Sequence, residues 1–178
     1  MPTNTKTAPR RALTLRSLDD LAAELDRIDA AIRDDAIGHT GNWTPGQIMD
    51  HCAKFVRCAI DGFEARAPWF VRAPARLLFK RTAVGPKPIG PGFQLPRSAS
   101  SMLPTEGISD AEGCDRLRRQ VERLRAGEKM THPSPLLGPL THDEWLALQL
   151  KHCDLHLGFI SLGEAAEASP SMDNTAAT

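Results

Sequence analysis

The sequence predicts an all-α protein, a four-helix bundle with a long irregular crossover between the second and third helices. Four amphipathic segments support this fold class, and three of them begin with patterns typical of capping boxes. The connection between the second and third segments is rich in proline and glycine, which argues against a helix or a central strand there. We expect one domain over residues 13–164, between a flexible arm (1–12) and a flexible tail (165–178).

The first helix is predicted to follow Ser17 and to run to about Asp35. Ser17 has the chemistry of an N-cap, and Asp20 places a carboxylate where the helix dipole favours negative charge. Leucine and isoleucine then recur at steps of three and four residues, as they do along one face of a helix: Leu18, Leu21, Leu25, Ile28 and Ile32. Gly38 and Gly41 predict the stop and the turn that follow.

The second helix has an equally clear start. Thr44 has cap chemistry, Pro45 suits the first helical position, and Gln47 completes a capping box. His51 falls on the apolar face, together with Ile48, Cys52, Phe55, Cys58, Ala59, Gly62 and Phe63. The outward face is predicted to carry Asp50, Arg57, Asp61 and Glu64. Pro68 is expected to end this helix or to bend the chain soon afterwards.

The crossover contains the sequence G-P-K-P-I-G-P-G-F-Q-L-P and runs over residues 83–107. Connections of this length in a compact domain tend to be functional or disordered. A strap that wraps the bundle is the simpler interpretation, and a lid over a site is the sharper one. Residues 77–79, just before the crossover, have the composition of a short helix. Basic side chains in the same region suit a solvated face, or alternatively the binding of an anionic thiol: Arg72, Arg76, Lys80 and Arg81.

The last two helices also carry start signals. Ser109 and Glu112 form a capping-box pattern for the third, which is predicted to close at Gly127 with arginines on its outward face. Thr141 opens the fourth with a T-x-x-E box, and its apolar pattern extends to Gly163. Because four such helices can bury one shared core, the bundle is the expected architecture.

Composition excludes several classes of protein. Lys+Arg and Asp+Glu both number 22, and this lack of basic excess argues against a nucleic-acid partner. No run approaches the ~18 apolar residues of a membrane span, so we expect no membrane partner. The polar N-terminal stretch lacks an apolar signal core, which favours a cytoplasmic location. The four cysteines form no C-x-x-C pair and are expected to be reduced, partly buried thiols: Cys52, Cys58, Cys114 and Cys153.

Three histidines lie on inward helical faces. His152 and His156 are four residues apart, which puts them on one face of the fourth helix, and His51 faces inward from the second. Bundles build metal sites in this way, and three imidazoles leave coordination positions open. Zn, Ni and Fe(II) all accept imidazole ligands. No carboxylate shares the inward face near these rings, which weakens the alternative of two histidines and one carboxylate.

The same spacing also has a simpler interpretation. Histidines on an apolar face are often core residues that hydrogen-bond to each other and to water, and an H-x-x-x-H step occurs often by chance. In that case the protein is a plain helical scaffold. From the residues alone, both interpretations remain open.

The neighbours of these histidines have two interpretations each. Gln47 serves the helix cap or else hydrogen-bonds a ligand, and Trp145 packs in the core or else lines a pocket. His132 is expected to be a solvated loop residue or else to reach the open mouth of the site. We expect His142 and His39, at helix margins, to be exposed. The two cysteines beside the histidines are not expected to bind a metal, since Cys153 points about 100° away from His152 and Cys52 suits an inert buried thiol.

The motif G-Q-I-M-D-H, which ends at His51 and follows W-T-P, resembles the DinB-like superfamily when combined with the late K-H-C-D-L-H. That resemblance covers about residues 13–163. It implies that His51, His152 and His156 bind a divalent metal cation. A further pattern from His132 to Trp145, H-P … G-P-L-T-x-x-E-W, is similar to a branch of unknown function.

Characterised members of the superfamily are metal-dependent thiol transferases and isomerases that use glutathione, mycothiol or bacillithiol. The resemblance therefore implies a low-molecular-weight thiol as cofactor, and a small-molecule substrate or thiol as partner. The leading hypothesis is a thiol-dependent transferase with a three-histidine metal site. The alternative is a non-catalytic helical bundle that binds a metal or a small molecule, and that forms a monomer or a homodimer.

Overall fold

A computed structural model of the protein describes residues 2–64, 74, 80, 83–85, 89–90 and 101–163. Within these ranges the chain is mostly helical and forms the predicted all-α four-helix bundle. The helices are α1 (Leu18–Arg33), α2 (Pro45–Asp61), α3 (Asp110–Arg125) and α4 (His142–Leu157). A small sheet joins β1 (Ile37–His39) to β2 (Ile160–Leu162). In the described part of the chain, no helix is long and apolar enough to cross a membrane.

The predicted helix starts are confirmed, with one difference in detail. α1, α2 and α4 begin with complete capping boxes, in which the cap side chain and the third residue each accept the other's backbone N–H. In α3 the Ser109 hydroxyl accepts the Glu112 N–H at 3.2 Å, but the reciprocal bond is missing. The Glu112 carboxylate instead accepts a hydrogen bond from Arg116 at 2.6 Å, one turn further along. The predicted capping box of α3 is therefore only half formed.

Two helix ends differ from the prediction. α2 ends at Asp61, because Gly62 takes φ +116°, a conformation that glycine adopts freely and that stops the helix. A helix end at Pro68 is therefore wrong, whereas the alternative, a bend of the chain at Pro68, lies outside the described residues. α4 ends at Leu157 rather than near Gly163, because the residues that follow pair with β1.

The antiparallel pairing of β1 with β2 was not predicted. Ile37 lies opposite Leu162, and Gly38 lies opposite Ser161. A Cβ atom at Gly38 would come within 2.8 Å of the Ser161 hydroxyl oxygen, so close approach of the strands explains this glycine. The sequence predicts only a helix stop at Gly38, because a strand of three residues shows no period-two pattern.

Close backbone contact fixes α2 against α3. A Cβ atom at Gly113 would lie only 2.3 Å from the carbonyl oxygen of Gly46, so only glycine fits there. The Gly46 N–H also donates to the Asp110 carboxylate at 2.7 Å. Because Gly46 opens the helix that carries His51, this contact sets the position of that histidine in the bundle.

The segment for which a flexible arm is predicted makes defined contacts with the bundle. The Arg11 guanidinium donates to the Ile160 carbonyl at 2.6 Å and to the Glu24 carboxylate at 2.5 Å. Glu24 lies on α1, is fully buried, and also pairs with Arg27 at 2.7 Å. Arg11 thus joins the N-terminal segment to α1 and to the strand that follows α4.

Candidate metal centre

The three histidines on which the prediction depends meet in the bundle. α2 supplies His51, and α4 supplies His152 and His156 one turn apart. The ring centroids lie 4.4–5.0 Å from one another. One nitrogen from each ring lies within 4.8 Å of the other two, a grouping that suits a single metal ion.

Two of the nitrogens already have the spacing of ligands on one ion. The Nε2 atoms of His51 and His152 are 3.1 Å apart, which is also the distance of an N–H···N hydrogen bond between two neutral rings, as the scaffold interpretation expects. Two imidazole nitrogens at the usual zinc distance lie about 2.9–3.4 Å apart when the angle at the metal is 90–109°. A nitrogen of His156 lies within 4.8 Å of both.

A backbone carbonyl fixes the orientation of His51. Its Nδ1 lies 2.7 Å from the carbonyl oxygen of Met102, and a carbonyl can only accept. The proton of the neutral ring therefore sits on Nδ1, and the lone pair of Nε2 points toward the other two histidines. Metal-binding histidines typically donate their second ring nitrogen in this way.

All three imidazoles have lowered pKa values. Burial lowers the pKa of His51, although the hydrogen bond to Met102 opposes this effect. Burial, and repulsion from the other two rings, bring the pKa of His152 well below its usual value. Burial, and repulsion from His51, lower the pKa of His156 to about 3. The rings are therefore neutral at pH 7, which is the form that binds metals.

The chain matches, over residues 7–162, the family described as "Protein of unknown function (DUF1569)". It belongs to that family. The match spans the bundle and all three histidines, and its description names no activity or ligand. No curated protein and no solved structure matches the chain. The likeness to the DinB-like superfamily stays a prediction.

Aromatic side chains surround the histidine cluster of this DUF1569 protein. The Trp43 ring stacks on His156 at a centroid distance of 5.7 Å with 19° between the planes. The same indole lies 4.9 Å from the ring of His51. On the other side, Phe55 lies 4.6 Å from His152. Neither Trp43 nor Phe55 is among the site residues predicted from the sequence, because the spacing of Phe55 along α2 indicates only a core position and Trp43 lies before the start of that helix.

Trp145 belongs to the core rather than to the histidine cluster. It is fully buried, stacks on Phe63 with a centroid distance of 5.9 Å, and meets the edge of Phe55. Its indole N–H donates to the carbonyl of His132 at 3.0 Å. His132 is half-buried beneath this contact, so its predicted exposure is wrong.

The other neighbours are placed as follows. The Gln47 side chain accepts the Thr44 N–H at 3.1 Å, which confirms its predicted role in the cap. His39 is exposed as predicted. His142 is half-buried, contrary to the prediction, because its Nδ1 accepts the Met130 N–H at 3.2 Å. None of these three residues belongs to the cluster.

The cysteines of the DUF1569 protein are free and buried, as expected. Cys52 and Cys153 directly follow two of the cluster histidines along the chain, and both thiols are fully buried. A hydrogen bond between them, together with burial, raises the pKa of Cys52 well above its usual value. A thiol that resists ionisation is a poor nucleophile and a poor metal ligand, so Cys52 is inert at neutral pH.

One acidic residue near the site is buried, contrary to the prediction. Asp50 was assigned to the outward face of α2, but its side chain is 1% exposed and pairs with Lys54 and Arg116. The prediction is wrong because α3 and residues 102–105 cover that side of α2. The signal was weak, since an i,i+4 Asp–Lys pair is also common on exposed helical faces.

Part of the predicted basic region lies outside the described residues. Lys80, which is described, forms an ion pair with Glu144 at 2.6 Å. Arg72, Arg76 and Arg81 lie outside those residues, as do residues 77–79 and most of the crossover. At its described ends, the crossover accepts a hydrogen bond from Lys151 at Ala83 and one from His51 at Met102.

Proposed function

We propose that this DUF1569 protein binds one divalent cation through His51, His152 and His156, and that it uses the ion to activate a low-molecular-weight thiol for transfer or isomerisation. The observation that supports this most strongly is the 3.1 Å separation of two Nε2 atoms beside a third imidazole. Three uncharged rings with lowered pKa values gain from a shared cation. Zn, Ni and Fe(II) all suit the donor set.

A set of three imidazole donors favours an ion that acts as a Lewis acid over an ion with a purely structural role. Three imidazoles leave at least one position for a small molecule, and they leave the charge of the cation uncompensated. A bound cation supplies Lewis acidity, which lowers the pKa of a thiol or water that coordinates to it. Cys52, whose thiol is inert at neutral pH, supplies no competing nucleophile at this position.

The protein's own side chains shape the surroundings of that position. Trp43 covers one side of His156, and Phe55 covers one side of His152. Such apolar walls exclude water and strengthen electrostatic effects inside the site. They also suit a substrate with an apolar body, so we propose a small organic electrophile as the second substrate.

A non-catalytic metal-binding bundle is the alternative. It is favoured by one observation: among the described residues, the cluster contains histidines only, with no carboxylate to act as a general base. Both functions need the metal, so they predict the same metal content. They differ in whether the metal-loaded protein catalyses a reaction.

Metal content is the first test. We expect close to one metal ion per chain, measured by elemental analysis after purification without a nickel column. The His51→Ala and His152→Ala variants should lose most of it, whereas His39→Ala, at an exposed position on β1, should retain it. Absence of metal from the wild type, even after incubation with Zn²⁺, Ni²⁺ or Fe²⁺, would overturn the proposal.

Trp43 offers an independent reporter of binding at this site. Because its indole contacts His156 and His51, paramagnetic Co²⁺ or Ni²⁺ bound there should quench its fluorescence. Wild type and Trp43→Phe are titrated in parallel, and their difference isolates this indole. Quenching of the same size in both proteins would place the ion elsewhere.

Catalysis is tested by thiol-dependent loss of an electrophile such as 1-chloro-2,4-dinitrobenzene. The wild type, loaded with metal, should accelerate the reaction in the presence of a thiol. His156→Ala should lose most of this activity and His39→Ala should keep it. Equal rates for wild type and His156→Ala would remove the enzyme hypothesis and leave the non-catalytic one.

A further inference from the structure

We infer that Asp50 is a positioning residue for the histidine cluster. Its buried carboxylate holds residues 102–105 against α2, and this segment supplies the carbonyl that fixes the tautomer of His51. The inference deepens the proposed function and rests on it where metal affinity is concerned. The effect on His51 itself can be observed without a metal.

Three groups converge on the Asp50 carboxylate. One oxygen accepts the backbone N–H of Thr105 at 2.7 Å and the Lys54 ammonium at 2.9 Å. The other oxygen accepts the Arg116 guanidinium, also at 2.7 Å. The carboxylate is 1% exposed, so these bonds act in surroundings of low polarity, where charged hydrogen bonds are strong.

The two cations also contact the same segment of chain. The Lys54 ammonium donates to the Leu103 carbonyl at 2.8 Å and to the Thr105 hydroxyl at 3.0 Å. Arg116 donates to that hydroxyl at 3.2 Å. Residues 103–105 are thus attached through a backbone N–H, a backbone carbonyl and a side chain, all within one network centred on Asp50.

Met102 comes directly before the attached residues. Its carbonyl accepts from Nδ1 of His51 at 2.7 Å, while its side chain is buried. The next residue, Leu103, is 45% exposed, so its side chain contributes little buried apolar surface to hold the segment in place. The polar network around Asp50 therefore attaches this part of the segment to α2.

Loss of this attachment has a specific chemical consequence. If the carbonyl of Met102 moves away, Nδ1 of His51 loses its acceptor, and the proton is free to move to Nε2. The Nε2–H form has no lone pair directed at His152 and His156. Partners of this kind fix ring orientation and basicity in metal sites, and their removal typically costs about 10–100-fold in metal affinity.

The test compares Asp50→Asn with the matched control Glu112→Gln. Glu112 is the other carboxylate that pairs with Arg116, and among the described residues no hydrogen bond or ion pair joins it to residues 102–105. In metal-free protein, ¹⁵N NMR of the His51 ring should show one Nδ1–H tautomer in wild type and control, and a mixture in Asp50→Asn. The Zn²⁺ dissociation constant should rise about tenfold or more in Asp50→Asn alone.

Thr105→Val provides a second variant in case Asp50→Asn does not fold. It removes the hydroxyl that Lys54 and Arg116 share, and it leaves the Asp50 carboxylate in place. We expect a smaller shift in the same direction, both in the tautomer ratio and in the Zn²⁺ dissociation constant. The visible spectrum of bound Co²⁺, which reports ligand geometry, should change with it.

The outcomes separate this inference from the proposed function. A folded Asp50→Asn that keeps the wild-type tautomer and affinity would overturn the role of Asp50. If Asp50→Asn does not fold, the same result in Thr105→Val would overturn it. If the wild type binds no metal but the tautomer still shifts in Asp50→Asn, the proposed function fails and the positioning of His51 stands. A shift of equal size in Glu112→Gln would show a general loss of structure and would also overturn the inference.

Discussion

Low pH should destabilise the folded protein in part by protonating the Asp50 carboxylate. The Asp50→Asn substitution should remove that part of the pH dependence. Burial alone would raise the pKa of this carboxyl, but hydrogen bonds from Lys54, Thr105 and Arg116 outweigh burial and lower the pKa to about 2. Because the folded pKa lies below the ordinary value of 3.8, the ionised carboxylate stabilises the fold at pH values above that ordinary value. This stabilisation is lost as the pH falls toward 2.

The size of the effect follows from the two pKa values. A difference of nearly two between the folded and ordinary pKa values corresponds to about 2 kcal/mol in the free energy of unfolding at neutral pH. At pH 2.5, proton linkage leaves only about a third of this stabilisation. The difference in unfolding free energy between wild type and Asp50→Asn should therefore shrink by about 1–2 kcal/mol between pH 6 and pH 2.5.

The measurement is urea unfolding followed by circular dichroism, on protein treated with a chelator, at several pH values across this range. Other carboxylates titrate in both proteins, so their contributions cancel in the difference. Asp61→Asn is the matched control on the same helix. Its carboxylate pairs with Arg123 but is 47% exposed, so solvent screens it and a smaller change is expected. A gap between wild type and Asp50→Asn that is independent of pH would refute the reasoning.

Three further substitutions test the fold. Gly113→Ala should destabilise the protein by about 3 kcal/mol or prevent folding, because the new Cβ meets the backbone of Gly46, which cannot yield as a side chain does. Arg11→Ala should cost about 2–4 kcal/mol of unfolding free energy, since it removes one of two cations from the fully buried Glu24. Thr141→Ala should cost about 1 kcal/mol through loss of the α4 cap. Chemical denaturation measures all three.

Each of these substitutions has a comparison that isolates its cause. Arg119→Ala, at an exposed position on α3, should change the free energy of unfolding little, in contrast to the large loss expected for Gly113→Ala. Arg10→Ala removes an exposed side chain that lies 5.4 Å from the ring centroid of Phe159, and it should cost at most about 1 kcal/mol. If Arg10→Ala and Arg11→Ala are equally mild, the buried ion pair does not hold the N-terminal segment. Thr141→Ser restores a cap hydroxyl and should recover most of the lost stability.

The starts of the helices and the choice of the three histidines could be predicted from the sequence. A capping box depends on residues within one turn, as between Thr44 and Gln47, so the local chain carries all the information needed. Helical periodicity likewise assigns His51, His152 and His156 to inward faces before any partner is known. Their convergence then follows from the way bundles pack, since inward faces share one core.

Other features depended on parts of the chain that lie far apart in sequence. α4 ends at Leu157 because the residues after it pair with β1, and nothing in the sequence of α4 indicates this pairing. Asp50 is buried because α3 and residues 102–105 pack over it. The Met102 carbonyl that fixes His51 is a backbone atom, which every residue possesses, so residue type gives no signal of its role. The sequence by itself determined which side chains face inward, because helical periodicity is local. Tertiary packing decided which groups those side chains contact, because these groups lie far away in the sequence.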